Sequence, residues 1–269
     1  MPLKIATWNI NSVRLRKSSV ERLITLHAPD VICLQEIKCR DAEFPGSTFA
    51  AHGYAQQAVH GQKGYHGVAI LSRLPFSNIK KQGFCGIGDA RHVSVSLEAG
   101  QKKKIEVHNF YIPAGGDVPD REQNPKFGHK LDFLDELTAW VENDKLASEN
   151  AILVGDLNIA PFEHDVWSHK ALLSVVSHTP VEVEKLNKVL ASGPWHDAMR
   201  HFVPENEKLY TWWSYRSPDW AAANKGRRLD HVWVSKKLAP KLRAMQVVKE
   251  ARGWEQPSDH APVIVELEI

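Results

Sequence analysis

Apolar runs of strand length recur along this chain, and several of them stop abruptly at a carboxylate or an amide. The sharpest is Ala151-Ile152-Leu153-Val154, followed by Gly155, Asp156, Leu157 and Asn158. Such a run predicts a buried strand, and side chains at i and i+2 of an extended chain point the same way. Asp156 and Asn158 therefore project together from the end of that strand. Two readings fit at this point: a pair of turn-capping residues, or a pair of oxygen donors presented to a ligand.

Strand patterns dominate the rest. "KIATWNI", "DVICLQEI", "GVAILS", "HVSVSLEA", "KIEVHNFYI", "AILVGDLN", "RLDHVWVS" and "APVIVELEI" are eight such segments. Helical spacing appears at Val20, Leu23, Ile24 and His27, again at Phe127, Leu131, Leu134, Leu137 and Val141, and in "VEVEKLNKVLA". The short "GQKK" predicts an antiparallel hairpin, with Lys102 to Lys104 at its soluble tip. No low-complexity linker interrupts the pattern, and "YIPAGGDVPDREQNP" reads as a loop, so residues 1–269 are expected to form a single domain. "TWNIN" and "VGDLN" echo one another, as two similar halves would if they packed as facing sheets with helices outside.

The bulk numbers exclude more than they suggest. A chain with 43% hydrophobic and 25% charged residues is an ordinary globular protein, and a formal net charge of +2 implies no partner by itself. Cys33, Cys39 and Cys85 form no CxxC pair, which fits a reducing compartment, and no secretory signal or apolar run of membrane-spanning length is present. A cytoplasmic protein with no membrane partner is expected, a monomer by default.

The polar strand ends carry the chemistry. Asn9 and Asn11 end the first strand, Glu36 the second, Tyr111 a later one, and Asp156 and Asn158 another; Asp230 interrupts "RLDHVWV", and Asp259 and His260 precede the last strand. Singly, each has a dull explanation as a solvated or capped residue. If the strand ends meet on one edge of a sandwich, they form a pocket rich in oxygen ligands with one imidazole. Carboxylate and amide oxygens suit Mg²⁺ or Mn²⁺. Zinc fits less well, because no HExxH or Cys/His cluster is present. A hard cation among carboxylates points to phosphate-ester hydrolysis. Glu36 would hold the metal, Asp156 would orient and deprotonate a water, and His260, steered by Asp230, would donate to a phosphate oxygen. A serine hydrolase lacks its GxSxG elbow here, and a nucleotide P-loop lacks its GxxxxGK[ST].

In order, "TWNINSVR", "LQEIK", "GYHGVAILS", "NFYIPAGG", "GDLNIAP", "RLDHVWVS" and "SDHAPV" resemble exonuclease III-type apurinic/apyrimidinic endonucleases, within the endonuclease/exonuclease/phosphatase superfamily. The resemblance runs from about Lys4 to Val265 and implies an α/β fold of DNase I type: a four-layer α/β/β/α sandwich of two mixed sheets. It implies a Mg²⁺-dependent DNA-repair enzyme (Mn²⁺ as substitute) that cuts the backbone 5′ to abasic sites in double-stranded DNA. Exonuclease, 3′-phosphodiesterase and 3′-phosphatase activity on blocked 3′ ends would accompany that cut. Carried over by position, Glu36 is the main metal ligand, with Asp259 near a second metal position and Asn9 and Asn11 beside the metal. Tyr111 contacts the scissile phosphate, Asp156 aligns the attacking water with help from Asn158, and Asp230 and His260 form the carboxylate–imidazole pair at the phosphate. Asp156 and Asn158 also count among the metal's neighbours. Asn11 stands where some relatives carry Asp, and Ala114 where others carry Asn or Gln, so metal count and phosphate contacts carry over least securely.

"YTWWSYRSPDWAAANKGRRLDH" interleaves aromatic and basic residues. One reading puts some of these aromatics in the core; the other makes them platforms beside phosphate-binding cations. The resemblance places Trp212 at the wall of a pocket for a flipped-out abasic sugar. Arg216, Arg227 and Arg228 are expected to face DNA, and Lys126 and Lys130, spaced i, i+4, are phosphate candidates or simply a solvated helix face. Two other function classes compete. A phosphoesterase of the same fold acting on inositol or lipid phosphates is disfavoured by the aromatic–basic loop, and a non-catalytic DNA-binding relic by the presence of Glu36, Asp156 and His260.

Overall fold

A computed structural model describes residues 2–99, 104–143 and 150–269. Along the chain, β1 (Pro2–Asn9) leads through α1 (Lys17–His27) into β2 (Val31–Gln35), and α2 (Gly46–Ala51) precedes β3 (Gln56–His60) and β4 (Val68–Ser72). Strands β5 (Phe76–Lys80), β6 (His92–Glu98) and β7 (Lys104–Tyr111) follow, then α3 (Pro125–Asn143) and β8 (Ala151–Asp156). Next come α4 (His169–Leu172), α5 (Pro180–Ser192), β9 (Trp195–Asp197) and α6 (Ala198–Phe202). The two-residue β10 (Trp212–Trp213) and β11 (Gly226–Arg227) flank α7 (Trp220–Ala223). The last strands are β12 (Asp230–Ser235), β13 (Leu242–Val247) and β14 (Val263–Glu268).

Two six-stranded sheets result, ordered β13-β14-β1-β2-β4-β3 and β5-β6-β7-β8-β12-β9. Each contains one parallel pair, β1 with β2 and β7 with β8, and is otherwise antiparallel. Parallel neighbours need a crossover, and α1 and α3 supply it. The alternation of side chains sorts the core into layers. Ile5, Val31, Cys33 and Val68 face Val107, Ile152, Val154 and Val232 between the sheets. Ala6, Trp8, Ile32 and Leu34 turn outward against Val20, Leu23 and Ile24 of α1. On the far side Phe110, Leu153 and Trp233 meet Phe133, Leu134 and Leu137 of α3 and Leu186 and Val189 of α5. Each such side chain contributes roughly 1.5–3 kcal/mol on full burial. The architecture is the expected α/β/β/α sandwich.

The two facing sheets are similar halves, as expected, with "TWNIN" in one and "VGDLN" in the other, but these two strand ends are not each other's equivalents. Strand order matches β13-β14-β1-β2-β4-β3 with β5-β6-β7-β8-β12-β9, although β5, β6 and β7 follow one another in the chain whereas β13 and β14 close it and β1 opens it. The end of β1 therefore corresponds to the end of β7, and the end of β2 to that of β8. One hydrogen bond shows the equivalence: Ile10 N–H donates to the Gln35 carbonyl at 3.1 Å, as Ile112 N–H does to the Asp156 carbonyl at 3.0 Å. The β6–β7 pair is antiparallel as expected; Lys102 and Lys103 lie outside the described residues, and Lys104 is exposed at the start of β7. Among the described residues, no helix is long and apolar enough to cross a membrane.

Candidate active site

The site forms where the two parallel pairs run out. Asn9 and Gln35 are the paired last residues of β1 and β2, as Tyr111 and Asp156 are of β7 and β8. One pleat deeper, the Gln35 amide nitrogen donates to Thr7 Oγ1 (2.9 Å) and to Asn109 Oδ1 (2.7 Å), and Asn109 donates to the Leu34 and Ala69 carbonyls (3.0 and 2.9 Å). This buried polar layer stitches the sheets together directly behind the site. Gly155 explains how Asp156 is aimed. Its φ of +146° is costly for residues with a Cβ, and a Cβ there would lie 1.9 Å from the Phe110 carbonyl oxygen, so only glycine lets β8 lie this close to β7. Beyond the strands, Asn11, Glu36, Lys38 and Asn158 all take φ near +50°. For Glu36 and Lys38 that conformation costs on the order of 1 kcal/mol each, the kind of strain that collects at functional sites.

The side chains form one unbroken chain of contacts. Asn11 Nδ2 donates to Asp259 Oδ1 at 3.1 Å, and Lys38 Nζ donates to Asn11 Oδ1 at 2.6 Å while pairing with Glu36 Oε2 at 2.8 Å. Asn9 Nδ2 bridges the two sheets, donating to Glu36 Oε1 (2.9 Å) and to Asp156 Oδ2 (2.8 Å). Asp156 also accepts from the Asn158 amide N–H (3.0 Å) and side chain (3.1 Å). His260 Nε2 stands 3.7 Å from Asp156 Oδ2, and its Nδ1 is 2.8 Å from Asp230 Oδ2. The circuit continues through Trp212 Nε1, which donates to Asp259 Oδ2 at 2.9 Å. Tyr111 is held from behind, with Arg91 stacked 5.1 Å from its ring centre and bonded to its carbonyl.

Charge follows from this packing. Burial opposes ionisation of Glu36, but Lys38 and the Asn9 amide outweigh it and hold its pKa low. Burial opposes ionisation of Asp259 too, and His260, the Trp212 N–H and Asn11 hold it low. Asp156 is lifted to about 7 by burial, reinforced by Asp230 and moderated by His260. Burial works against the His260 cation, yet Asp230 and Asp156 raise its pKa to about 10. Burial, with Glu36 and Asp156, keeps the Tyr111 phenol well above its ordinary pKa. Ligand atoms of Asp156, Asp230 and His260 lie within 4.8 Å of one another, close enough to hold a metal. A cationic ring already bound through Nδ1 is a poor ligand, however. The oxygens of Glu36, Asp259, Asn9 and Asn11 suit a hard cation better, and Lys38 Nζ already places positive charge between two of them.

This network floors a cavity of about 780 Å³ whose lining includes Trp212, Arg216, Lys225 and Arg227. Trp212 is half-buried in the wall, while Tyr210 and Trp213 belong to the core. Arg216 is exposed at the cavity, and Lys126 is exposed on the first turn of α3. Two expectations fail. Arg228 is fully buried, its Nε and Nη2 on the Asp165 carboxylate (2.8 and 2.9 Å) and its Nη1 on Asp197 (2.7 Å). Lys130 is also fully buried; its Nζ grips Glu182 Oε1 (2.5 Å) and the carbonyls of Asn158 (2.8 Å) and Ala114 (3.3 Å). Neither can face DNA, because each charge is consumed inside the protein. Sequence reasoning missed Lys38, although it sits inside "LQEIK". It also missed Ser258, whose hydroxyl donates to the Asn9 carbonyl at 2.6 Å and accepts from the His260 N–H at 3.2 Å.

Comparison with known proteins agrees with this geometry. Residues 6–260 match the Endonuclease/Exonuclease/phosphatase family. Exodeoxyribonuclease III of Haemophilus influenzae is 32% identical over 98% of this chain and 100% of its own length. Two solved structures superpose with a TM-score of 0.89 at 30% identity, covering 99% of this chain and all of theirs. One is the 3′ phosphatase NExo from Neisseria bound to a product DNA hairpin, and the other an AP endonuclease from Archaeoglobus fulgidus. A fold of two stacked sheets, a carboxylate–imidazole network where their parallel pairs end, and near-complete coverage of these nucleases make the chain a member of the Endonuclease/Exonuclease/phosphatase family.

Proposed function

We propose that this protein is a Mg²⁺-dependent phosphodiesterase of base excision repair. It cuts duplex DNA 5′ to abasic sites, clears blocked 3′ ends, and has 3′→5′ exonuclease activity. It works as a single domain over residues 1–269, as a cytoplasmic monomer, and Mn²⁺ substitutes for Mg²⁺. The observation that carries this reading is the Asn9 amide joining Glu36 of one sheet to Asp156 of the other, with the Asp230–His260 pair next to it. Relatives named for cutting DNA support the substrate class.

Glu36 and Asp259, with Asn9 and Asn11, would hold the cation; when bound, it neutralises phosphate charge and stabilises the leaving oxygen. The remaining work belongs to the chain. Asp156, fixed by Asn9 and Asn158, orients a water and takes its proton as the new bond to phosphorus forms. The bond from phosphorus to the upstream 3′ oxygen breaks on the opposite side. His260, kept protonated by Asp230, donates to a non-bridging phosphate oxygen, and the Tyr111 hydroxyl contacts the same phosphate. Trp212 walls the space for the abasic sugar, and Arg216, Arg227 and Lys126 meet the backbone.

The test is a duplex oligonucleotide with one synthetic abasic site, incubated with Mg²⁺ and separately with chelator. Incision on the 5′ side of the lesion only with Mg²⁺ is expected. An intact duplex under both conditions would sink the reading, as would equal incision with chelator.

A further inference from the structure

One carboxylate outside the network described so far faces an arginine and two histidines at once. Asp89 lies just before β6, and its Oδ2 is 3.0 Å from Arg91 Nε, 3.7 Å from His66 Nε2 and 3.6 Å from His129 Nε2 of α3. Among the described residues, Arg91 pairs with no other carboxylate. His66 belongs to the loop between β3 and β4, and its Nε2 is also 3.3 Å from Arg91 Nη2. A guanidinium can only donate, so this nitrogen of His66 accepts and the neutral ring carries its proton on Nδ1. Burial and Arg91, which lower the His66 pKa to about 4, agree with that state.

These contacts converge on Tyr111. Its N–H donates to the Arg91 carbonyl (2.8 Å), and its own carbonyl accepts from Arg91 Nη1 (3.3 Å), so Arg91 holds the main chain on both sides of the residue. The Arg91 guanidinium lies 5.1 Å from the centre of the Tyr111 ring, and the His66 ring lies 6.0 Å from it. His66 is bound in turn to the chain just after Glu36, its carbonyl accepting from the Lys38 N–H at 3.0 Å.

We infer that Asp89 is a positioning residue for the reaction: by holding Arg91 and His66 against the Tyr111 ring, it sets where the phenol meets the phosphate. The inference rests on the reading of Tyr111 as the group that contacts the scissile phosphate. Asp89, Arg91 and His66 do not line the cavity, whereas Tyr111 does, so their effect on the chemistry passes through that ring. Loss of the Asp89 carboxylate leaves a buried guanidinium without its counter-charge, which is costly. Arg91 then swings towards Glu36 and Asp156, the acids that already act on Tyr111, and the ring loses its support.

The test is a double-mutant cycle, read as single-turnover cleavage of an abasic duplex with Mg²⁺ and as DNA affinity by anisotropy. Asp89→Ala should slow cleavage by about 10–100-fold, as a misplacement on the order of 1 Å does, and leave affinity almost unchanged. Asp89→Asn, whose amide oxygen still accepts from Arg91 Nε, should recover most of the rate. In a Tyr111→Phe background Asp89→Ala should cost almost nothing further, because the group it positions is gone. His66→Ala, which removes the other neighbour of the ring, should show the same coupling to Tyr111→Phe, and this second cycle decides the matter if Asp89→Ala does not fold. Losses that simply multiply in the double variants overturn the inference, since a mere staple of the loop would weaken the whole site. A wild-type rate in folded Asp89→Ala, or in Tyr111→Phe, overturns it as well. Wild-type protein that leaves the abasic duplex uncut would instead overturn the functional reading beneath it.

Discussion

Asp156 receives three hydrogen bonds from Asn9 and Asn158 and stands beside a cationic imidazole, so its position is fixed independently of any substrate. Asp156→Ala is expected to lower single-turnover cleavage of abasic DNA by about 10²–10⁴-fold, the usual contribution of a positioned acid–base group. DNA affinity, measured by anisotropy, should change little. A variant that cleaves at the wild-type rate would remove Asp156 from the chemistry. Lys38 makes a different prediction. Its Nζ contacts oxygens of Glu36 and Asn11, two of the groups proposed to receive the metal, and so competes with that metal. Lys38→Gln should tighten Mn²⁺ binding in the absence of DNA by on the order of tenfold, or about 1.4 kcal/mol. Calorimetry showing weaker binding would refute the competition. At this scale the sequence displayed residue types but not partners. Asp156, Asn158 and His260 stood out as polar groups at strand ends, whereas Lys38 and Lys130 were indistinguishable from solvated lysines. Only the folded chain shows one of these lysines against Glu36 and the other beneath Asn158.

The eight strands legible in the sequence are the four central strands of each sheet: β14, β1, β2 and β4, and β6, β7, β8 and β12. The four that left no clear signal, β13, β3, β5 and β9, are the four edges. Central strands are buried on both faces and read as continuous apolar runs. Edge strands such as β5 (FSNIK) and β3 (QQAVH) are polar and short, as befits strands with one unpaired edge. Among the helices, α3 was visible as an apolar stripe, but the same periodicity could not reveal that Lys130 turns inward to meet α5. There Glu182 is both the capping residue of α5, accepting from Thr179 N–H and Oγ1, and the partner of Lys130. Lys130→Met leaves that carboxylate buried without its cation. It should cost about 3–5 kcal/mol of unfolding free energy by urea titration, and it also frees the Asn158 carbonyl. Lys130→Met combined with Glu182→Met should recover stability, because replacing both members of a buried pair by apolar groups is often neutral. It should not recover full activity, because the loop bearing Asn158 has lost its anchor. Full activity in the double variant would show that the pair serves stability alone.

As a whole, the molecule is two equivalent sheets whose shared edge makes the site, so anything that loosens one sheet dismantles it. Three imidazoles sit on the outer face of the second sheet, and all three are buried: His92, His108 and His231. Desolvation lowers each pKa: that of His92 falls well below the ordinary histidine value, with His108 adding to the effect, His108 drops to about 3 and His231 to about 4. These groups are neutral when folded, whereas the unfolded chain takes up their protons as pH falls below about 6.5. The unfolded state then binds more protons, so stability rises with pH in this window. Asp156 acts in the opposite direction, since the folded chain holds its proton up to about 7 while the unfolded chain releases it near 4. His66, lowered to about 4 by burial and Arg91, acts with the three imidazoles, and four histidines against one carboxyl leave a net gradient on the order of 3 kcal/mol per pH unit around pH 5.5. His260, with its folded pKa raised to about 10, adds stability that is complete below pH 6.5 and fades between there and pH 10. The metal-free protein should therefore be most stable near pH 6.5–7 and weaken steeply on the acid side, well above the range where surface carboxylates protonate. Urea unfolding in chelator at pH 7, 6, 5.5 and 5 measures that gradient directly. A flat profile down to pH 5 would mean that these imidazoles already carry protons in the folded state, which their burial against Phe84, Phe110, Trp140 and Trp233 argues against.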